Sequence, residues 1–307
     1  MKLTKHRFTS GADGLTLELF TALPDSGSPK AIFQIAHGMS EHKERYLPLM
    51  EYMCAKGFAC IIHDHRGHGA SVRTKDDLGY LYENGASAIV SDLYEVSCFA
   101  KETFGDLPLF LFGHSMGSMI VRIYLKEHDD ELAALLVCGS PSYNRAAGFG
   151  KWLARLIGAI RGTHHRSFLL QLLSFGSFSR RFIHEGSPNA WISSTNANVS
   201  EYDVDPLSGF MFTANGFEQL YSLMLEAYSK KGWRVKNPAL PVLFLSGADD
   251  PCLINHKKFK QAVNFLKERG YANTSSKLYP GKRHEILNED IREQVMDDIA
   301  AFCEKTL

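Results

Sequence analysis

The stretch Leu107-Pro-Leu-Phe-Leu-Phe-Gly-His-Ser-Met-Gly-Ser-Met-Ile120 decides the fold. Its first six residues are an almost unbroken apolar run, as in a strand covered on both faces. Met119, Ile120, Ile123 and Tyr124 then recur along one face of a helix expected over 116–128. Between them, Gly113-His-Ser-Met-Gly117 fits G-x-S-x-G. In a strand–turn–helix setting that pattern holds a serine at a strained turn, with glycines where a Cβ would clash with neighbouring backbone. The helix starts at Ser115, so its unpaired N–H groups and positive dipole end are expected to face an oxyanion developing there. An ordinary turn that happens to contain a serine is the competing account, and the flanking strand and helix weigh against it.

The same alternation continues on both sides. Two alternating stretches, 3–9 and 14–22, flank Gly11-Ala-Asp-Gly14 and predict an antiparallel hairpin. Ala31–Ala36 and Phe58–Ile62 are further buried strands, separated by a helix over 43–56 that stops at Gly57. A helix over 84–104 leads into the strand 107–112, and helix 116–128 into the strand 132–138. Strand–helix alternation implies parallel strands with right-handed crossovers. From Pro141 to Lys236 no buried strand is evident. The sheet resumes at Pro241-Val-Leu-Phe-Leu245, followed by a helix near 254–268, a strand at 276–279 and a last helix with Ile291, Val295, Ile299 and Phe302 on one face. The expected fold is α/β: a mostly parallel eight-stranded sheet with helices on both faces. Residues 1–141 and 237–307 form its core, and 142–236 a mainly helical cap.

In such a fold the serine's partners follow it as Asp or Glu and then His. Leu243-Phe-Leu-Ser-Gly-Ala-Asp-Asp-Pro251 ends a strand with two candidates, Asp249 and Asp250. Asp250 is preferred because Pro251 fixes the turn after it, and either aspartate can also be a helix-capping loop residue. His284 follows the last strand in Gly281-Lys-Arg-His-Glu-Ile-Leu287. All three positions fall at the carboxyl ends of strands, where open α/β sheets bind ligands. The histidine is expected to take the serine proton and the aspartate to hold the ring. Two backbone donors are needed for a tetrahedral intermediate. The amide of Met116 is one candidate, and Met39 in His37-Gly-Met-Ser-Glu-His42 the other.

Four blocks, His37-Gly-Met-Ser-Glu-His-Lys-Glu-Arg-Tyr46, Asp64-His-Arg-Gly-His-Gly-Ala-Ser71, Gly113–Gly117 and Arg283-His-Glu-Ile-Leu-Asn-Glu289, resemble the signature blocks of the monoglyceride lipase and lysophospholipase group of α/β-hydrolases. The resemblance covers nearly all of the core. It implies Ser115 as nucleophile, Asp250 as acid at the Gly-x-x-Asp position counted from Gly247, His284 as base, and the Met39 and Met116 amides as oxyanion hole. Ser118 departs from the glycine usual after the elbow, and the cap does not align.

His63-Asp-His-Arg-Gly-His68 offers a rival reading, since H-x-H-x-x-H approaches a zinc motif. Gly67 stands where that motif needs an aspartate, so a loop bracing the site by hydrogen bonds is preferred and neither metal nor cofactor is expected. Six dispersed cysteines without C-x-x-C read as reduced thiols. Lys2 and Lys5 precede no apolar signal segment, and no apolar run reaches membrane-spanning length, so a cytoplasmic protein is expected.

Charge balances at 34 basic against 34 acidic residues, which leaves no footprint of a nucleic-acid binder. Yet 142–184 holds Arg145, Lys151, Arg155, Arg161, Arg166, Arg180 and Arg181 and no acidic residue. Phe149, Trp152, Leu153, Leu156, Ile157 and Ile160 form one helical stripe there. The blander expectation sets this stripe against the core. The sharper one makes the basic cap a peripheral contact with lipid surfaces. The expected activity is hydrolysis of a small-molecule or lipid ester, such as a monoacylglycerol or lysophospholipid. A general short-chain carboxylesterase, an amidase or peptidase, and a binding protein on a hydrolase scaffold are the alternatives.

Overall fold

A computed structural model describes all 307 residues. The strands β1 (Lys2–Thr9), β2 (Thr16–Leu23), β3 (Ala31–Ala36), β4 (Phe58–His63), β5 (Leu109–His114), β6 (Ala134–Cys138), β7 (Val242–Gly247) and β8 (Thr274–Tyr279) make one sheet. Their order is β1-β2-β4-β3-β5-β6-β7-β8. β1 and β2 form the antiparallel hairpin, β2 lies antiparallel to β4, and the other neighbours are parallel. The expected α/β-hydrolase sheet is therefore present.

Alternation along β5 shows why both faces are covered. Leu109 and Leu111 enter a core formed with α2 (Gly85–Phe104), α3 (Met116–His128) and α8 (His256–Glu268). Phe110 and Phe112 point the other way, toward α1 (Leu47–Ala55) and α9 (Arg292–Thr306). Successive side chains leave a strand on opposite faces, so one apolar run fills both layers. Element starts shift where local chemistry demands it. Pro108 has no N–H to give a ladder, and β5 begins at Leu109. Residues 43–46 form a 3₁₀ turn, and α1 starts beyond it with Pro48 in its first turn.

Between β6 and β7 lie α4 (Ala147–Arg161), α5 (Phe168–Arg181), α6 (Asn196–Val204) and α7 (Ala214–Ala227). Here the blander expectation for the apolar stripe is corrected. Phe149, Trp152, Leu156 and Ile160 are 60, 56, 40 and 71% exposed, and only Leu153 and Ile157 turn inward. The small residues Ala147, Gly150 and Ala154 are buried instead, with Gly150 against the Tyr221 ring of α7, because they allow close helix approach. On α5, Phe168, Leu169, Leu172 and Leu173 are likewise exposed.

The loop after β4 is braced by buried ions. Arg66 donates to Asp92 at 2.8 and 3.1 Å and to Asp13 at 3.0 Å, and the Arg66 and Asp92 side chains are both fully buried. Removing one partner of such a pair strands the other charge. Arg66→Met is expected to lower the unfolding free energy by about 3–5 kcal/mol. Urea denaturation reads this directly, and a loss below about 1 kcal/mol, the range of exposed pairs, would refute it.

Candidate active site

β5 ends and α3 begins at Ser115, whose backbone is at φ 51° and ψ −114°. A non-glycine residue there stores about 1–3 kcal/mol of strain, held by surrounding structure. Two contacts hold it: the Ser115 amide donates to the Cys138 carbonyl at 2.9 Å, and the Ser118 hydroxyl donates to the Ser115 carbonyl at 2.5 Å. The start of α3 also crosses the end of β3 at close range. A Cβ on Gly117 would meet the Ala36 carbonyl oxygen at 2.1 Å, which explains the glycine.

Ser115 Oγ donates to His284 Nε2 at 2.8 Å, and His284 Nδ1 donates to Asp250 Oδ2 at 2.9 Å. Asp250 also accepts the Cys252 amide at 2.8 Å and the Ser246 hydroxyl at 3.0 Å. Its side chain is fully buried. Asp249 points away, half exposed and 3.8 Å from Arg181. The structure thus brings Ser115, His284 and Asp250 into one line and leaves Asp249 outside it. Burial alone would depress the pKa of His284, but the Asp250 carboxylate outweighs it and raises that pKa well above 6.5.

Met116 is the first residue of α3, so its amide is among the N–H groups without a carbonyl partner in the helix. The loop after β3 runs against the serine, since a Cβ on Gly38 would lie 3.1 Å from Ser115 Cβ. Met39 and Met116 both line a cavity of about 780 Å³ that opens over Ser115. Met119, Phe210 and Met224 form further apolar wall. Trp191 covers His284 with ring centres 5.1 Å apart and stacks in turn on Phe175.

His63, His65 and His68 lie buried in the layer beneath, together with His37. The His65 amide donates to His37 Nε2 at 2.9 Å, and His68 Nδ1 donates to the Arg66 carbonyl at 3.0 Å. Burial lowers all four pKa values, to about 3 for His63 and about 4 for His68. The metal-ligating atoms that do converge, within 4.8 Å, belong to Asp250, Cys252 and His284. Two of these are already hydrogen-bonded to each other. Asp64 accepts Lys43 Nζ at 2.6 Å and the Lys43 and Ala70 amides, which ties this loop to the one after β3.

Trp191 and the ion pairs among Glu41, Arg45 and Glu285 have no counterpart in the sequence reading. The tryptophan lies in the segment that did not align. The charged residues stood inside quoted blocks, where Glu41 and Arg45 at i, i+4 in the connection after β3 were a usable signal.

Residues 27–291 match the model of the family described as serine aminopeptidase, S33. The chain is 27% identical over 281 residues to a monoglyceride lipase homolog of Monkeypox virus, covering 89% of each chain. It is 25% identical to a monoacylglycerol lipase of Mycolicibacterium smegmatis, over 97% of this chain and 96% of that one. Among solved structures, a carboxyl esterase from Bacillus coagulans in complex with glycerol superposes with a TM-score of 0.89 at 26% identity, over 100% of this chain and 99% of that one. A lipase in an open form gives 0.88 at 26% identity, over 99% of each chain.

Two outcomes are expected at this site. On the roles expected from the sequence, Asp250→Asn should lower kcat by about 10⁴-fold, while Asp249→Asn stays within about 3-fold of wild type. A base must be neutral to accept a proton, so kcat/KM should fall as pH drops through the raised His284 pKa. The midpoint of that acid limb is expected above 6.5; a midpoint below it would contradict the Asp250 pairing.

Proposed function

We propose that this chain, which belongs to the serine aminopeptidase S33 family and is a serine hydrolase acting on esters, cleaves monoacylglycerols, lysophospholipids or similar esters of a long apolar acyl chain. The observation that carries this is the hydrogen-bonded line Asp250–His284–Ser115 at the foot of the cavity of about 780 Å³. That volume lies in the upper part of the roughly 300–1,000 Å³ typical of ligand sites, and an acetyl group would leave most of it unfilled. The viral and mycobacterial relatives, named as lipases of this class, support the same reading.

In the proposed mechanism, Ser115 Oγ attacks the ester carbonyl while His284 Nε2 takes its proton. Asp250 holds the ring and stabilises the imidazolium. The Met39 and Met116 amides receive the oxyanion. His284 then gives the proton to the departing alcohol, leaving an acyl-enzyme. Water attacks that ester by the same route and releases the fatty acid and the free serine. An aminopeptidase reading is weaker on charge grounds. The acidic residues on the cavity wall are Glu41 and Glu285, and both already pair with Arg45, so neither is free for a peptide ammonium.

Residues 1–141 and 237–307 serve in this reading as the hydrolase core and 142–236 as a cap that works at lipid surfaces. Phe149 and Leu173 line the cavity and also stand exposed, so apolar surface continues from the outside of the cap into the site. Residues 142–184 carry seven basic residues and no acidic one; Arg155 pairs with Glu218 and Arg181 lies near Asp249, and the other five complement anionic headgroups. The protein would then act peripherally at membranes.

An acyl-chain series with Ser115→Ala as control tests the substrate class. Laurate to oleate esters should outpace acetate and butyrate, and a preference for the short esters would replace this reading with a general esterase. Sedimentation with vesicles tests the surface: binding should be stronger to anionic than to zwitterionic lipid and weaken with salt. Equal binding to both would remove the cap from that role.

A further inference from the structure

Two buried carboxylates flank the nucleophile, and one guanidinium joins them. Glu41 stands in the loop after β3, where it accepts the Gly38 amide, the Tyr46 hydroxyl at 2.8 Å and Arg45 Nη1 at 3.1 Å. Glu285 directly follows His284, and its two oxygens accept Arg45 Nη1 and Nη2 at 2.6 and 2.8 Å. The other contacts make this a junction. Arg45 Nη2 donates to Asn198 Oδ1 at 3.1 Å, and Asn198 Nδ2 donates to Glu285 at 2.8 Å. The guanidinium also lies on the Tyr202 ring at 4.9 Å, and the Tyr202 hydroxyl donates to the Ser40 carbonyl at 3.0 Å.

The side chains of Glu41, Arg45 and Glu285 are 4, 12 and 6% exposed, so all three charges are largely out of water. One cation here serves two carboxylates, and apolar packing of the same volume is commonly as stable or more so. What a planar guanidinium supplies that packing cannot is fixed direction at several acceptors at once. Both carboxylates lead to groups that have to meet at Ser115. Through Glu41 the guanidinium holds the Gly38 amide, one residue from the Met39 amide. Through Glu285 it holds the backbone that carries His284.

We propose that Arg45 is a positioning residue that keeps the Met39 amide and the His284 ring in register across Ser115. This rests on the roles assigned above to Ser115, His284 and Met39. Arg45 does not line the cavity, so it acts without touching substrate. Register between donor and base matters when negative charge reaches the carbonyl oxygen, and hardly at all for holding an acyl chain. Loss of Arg45 therefore weakens transition-state binding and leaves ground-state binding nearly intact.

Arg45→Lys keeps the charge but cannot span both carboxylates with a planar fork. Two probes with the same long alkyl chain separate the effects. One is a trifluoromethyl ketone, which adds Ser115 and forms an oxyanion; the other is an unreactive ether lipid. Trifluoromethyl ketone affinity and kcat should each fall about 30–100-fold, approaching the loss of one oxyanion donor, with ether affinity changed less than about 3-fold. Equal losses for the two probes, or no loss for either, would overturn the proposal. Glu285→Gln preserves side-chain shape and serves if circular dichroism shows that Arg45→Lys does not fold. It should show the same split at about 10-fold, and an absent split again overturns the proposal. Ser115→Ala keeps the two readings apart: retained ester turnover in that variant rejects the proposed function itself, whereas an inactive Ser115→Ala with no split in the Arg45 variant rejects only the positioning role.

Discussion

The crossing of two chain segments is the constraint on which the rest depends. The first turn of α3 lies so close over the end of β3 that the Ala36 carbonyl oxygen occupies the space a Gly117 side chain would need. Ala36 and Gly113 are also paired neighbours in the sheet. The turn between β5 and α3 has no room to relax, and Ser115 is left at positive φ. The same crossing brings the loop after β3 beside the N-terminus of α3. Two backbone segments from distant parts of the sequence thereby meet beside Ser115. Strain at one residue and convergence of two backbones are one packing fact.

Charge then distinguishes residues of the same type. His37, His63, His65, His68 and His114 are buried around the site without a carboxylate at the ring, and burial drives their pKa values down. His284 is as deeply buried, yet the Asp250 carboxylate moves it the other way. His42 is also raised, where Glu44 and Asp205 offset its desolvation. The site is thus a layer of imidazoles whose pKa values burial lowers, except where a paired carboxylate raises them, as at His284 and His42.

Much of this was legible in the amino-acid order because it is local. Period-two and period-3.6 patterns located the strands and helices, and strand–helix alternation made the sheet parallel. The order serine, aspartate, histidine placed three side chains at strand ends. Two adjacent aspartates could not be told apart by spacing alone; the contacts separate them, with Asp250 on His284 and Asp249 near Arg181. The orientation of α4 was harder. Periodicity shows that a helix has an apolar stripe, but the small residues Ala147, Gly150 and Ala154 decided which side packs. The pairing of Arg45 with Glu285 joins residues at opposite ends of the chain, and local pattern carries no information about such a partner.

The way the helices between β6 and β7 are fastened bears on how this architecture diversifies. Ser115, Asp250 and His284, the reacting groups of the proposed mechanism, follow β5, β7 and β8, so an exchange of α4–α7 for other helices removes none of them. The fastenings, however, end on the loops that meet beside Ser115. Asp205 bonds His42 at 2.6 Å, Tyr202 bonds Ser40, Asn198 bonds Glu285, and the Ala190 carbonyl receives Arg283 at 2.6 Å. A replacement for these helices lacking equivalents of the anchors would leave polar groups on those loops unpartnered. The insertion can thus be swapped in its outer helices, α4 and α5, far more freely than along 190–210, where its evolution is tied to that of the active-site loops.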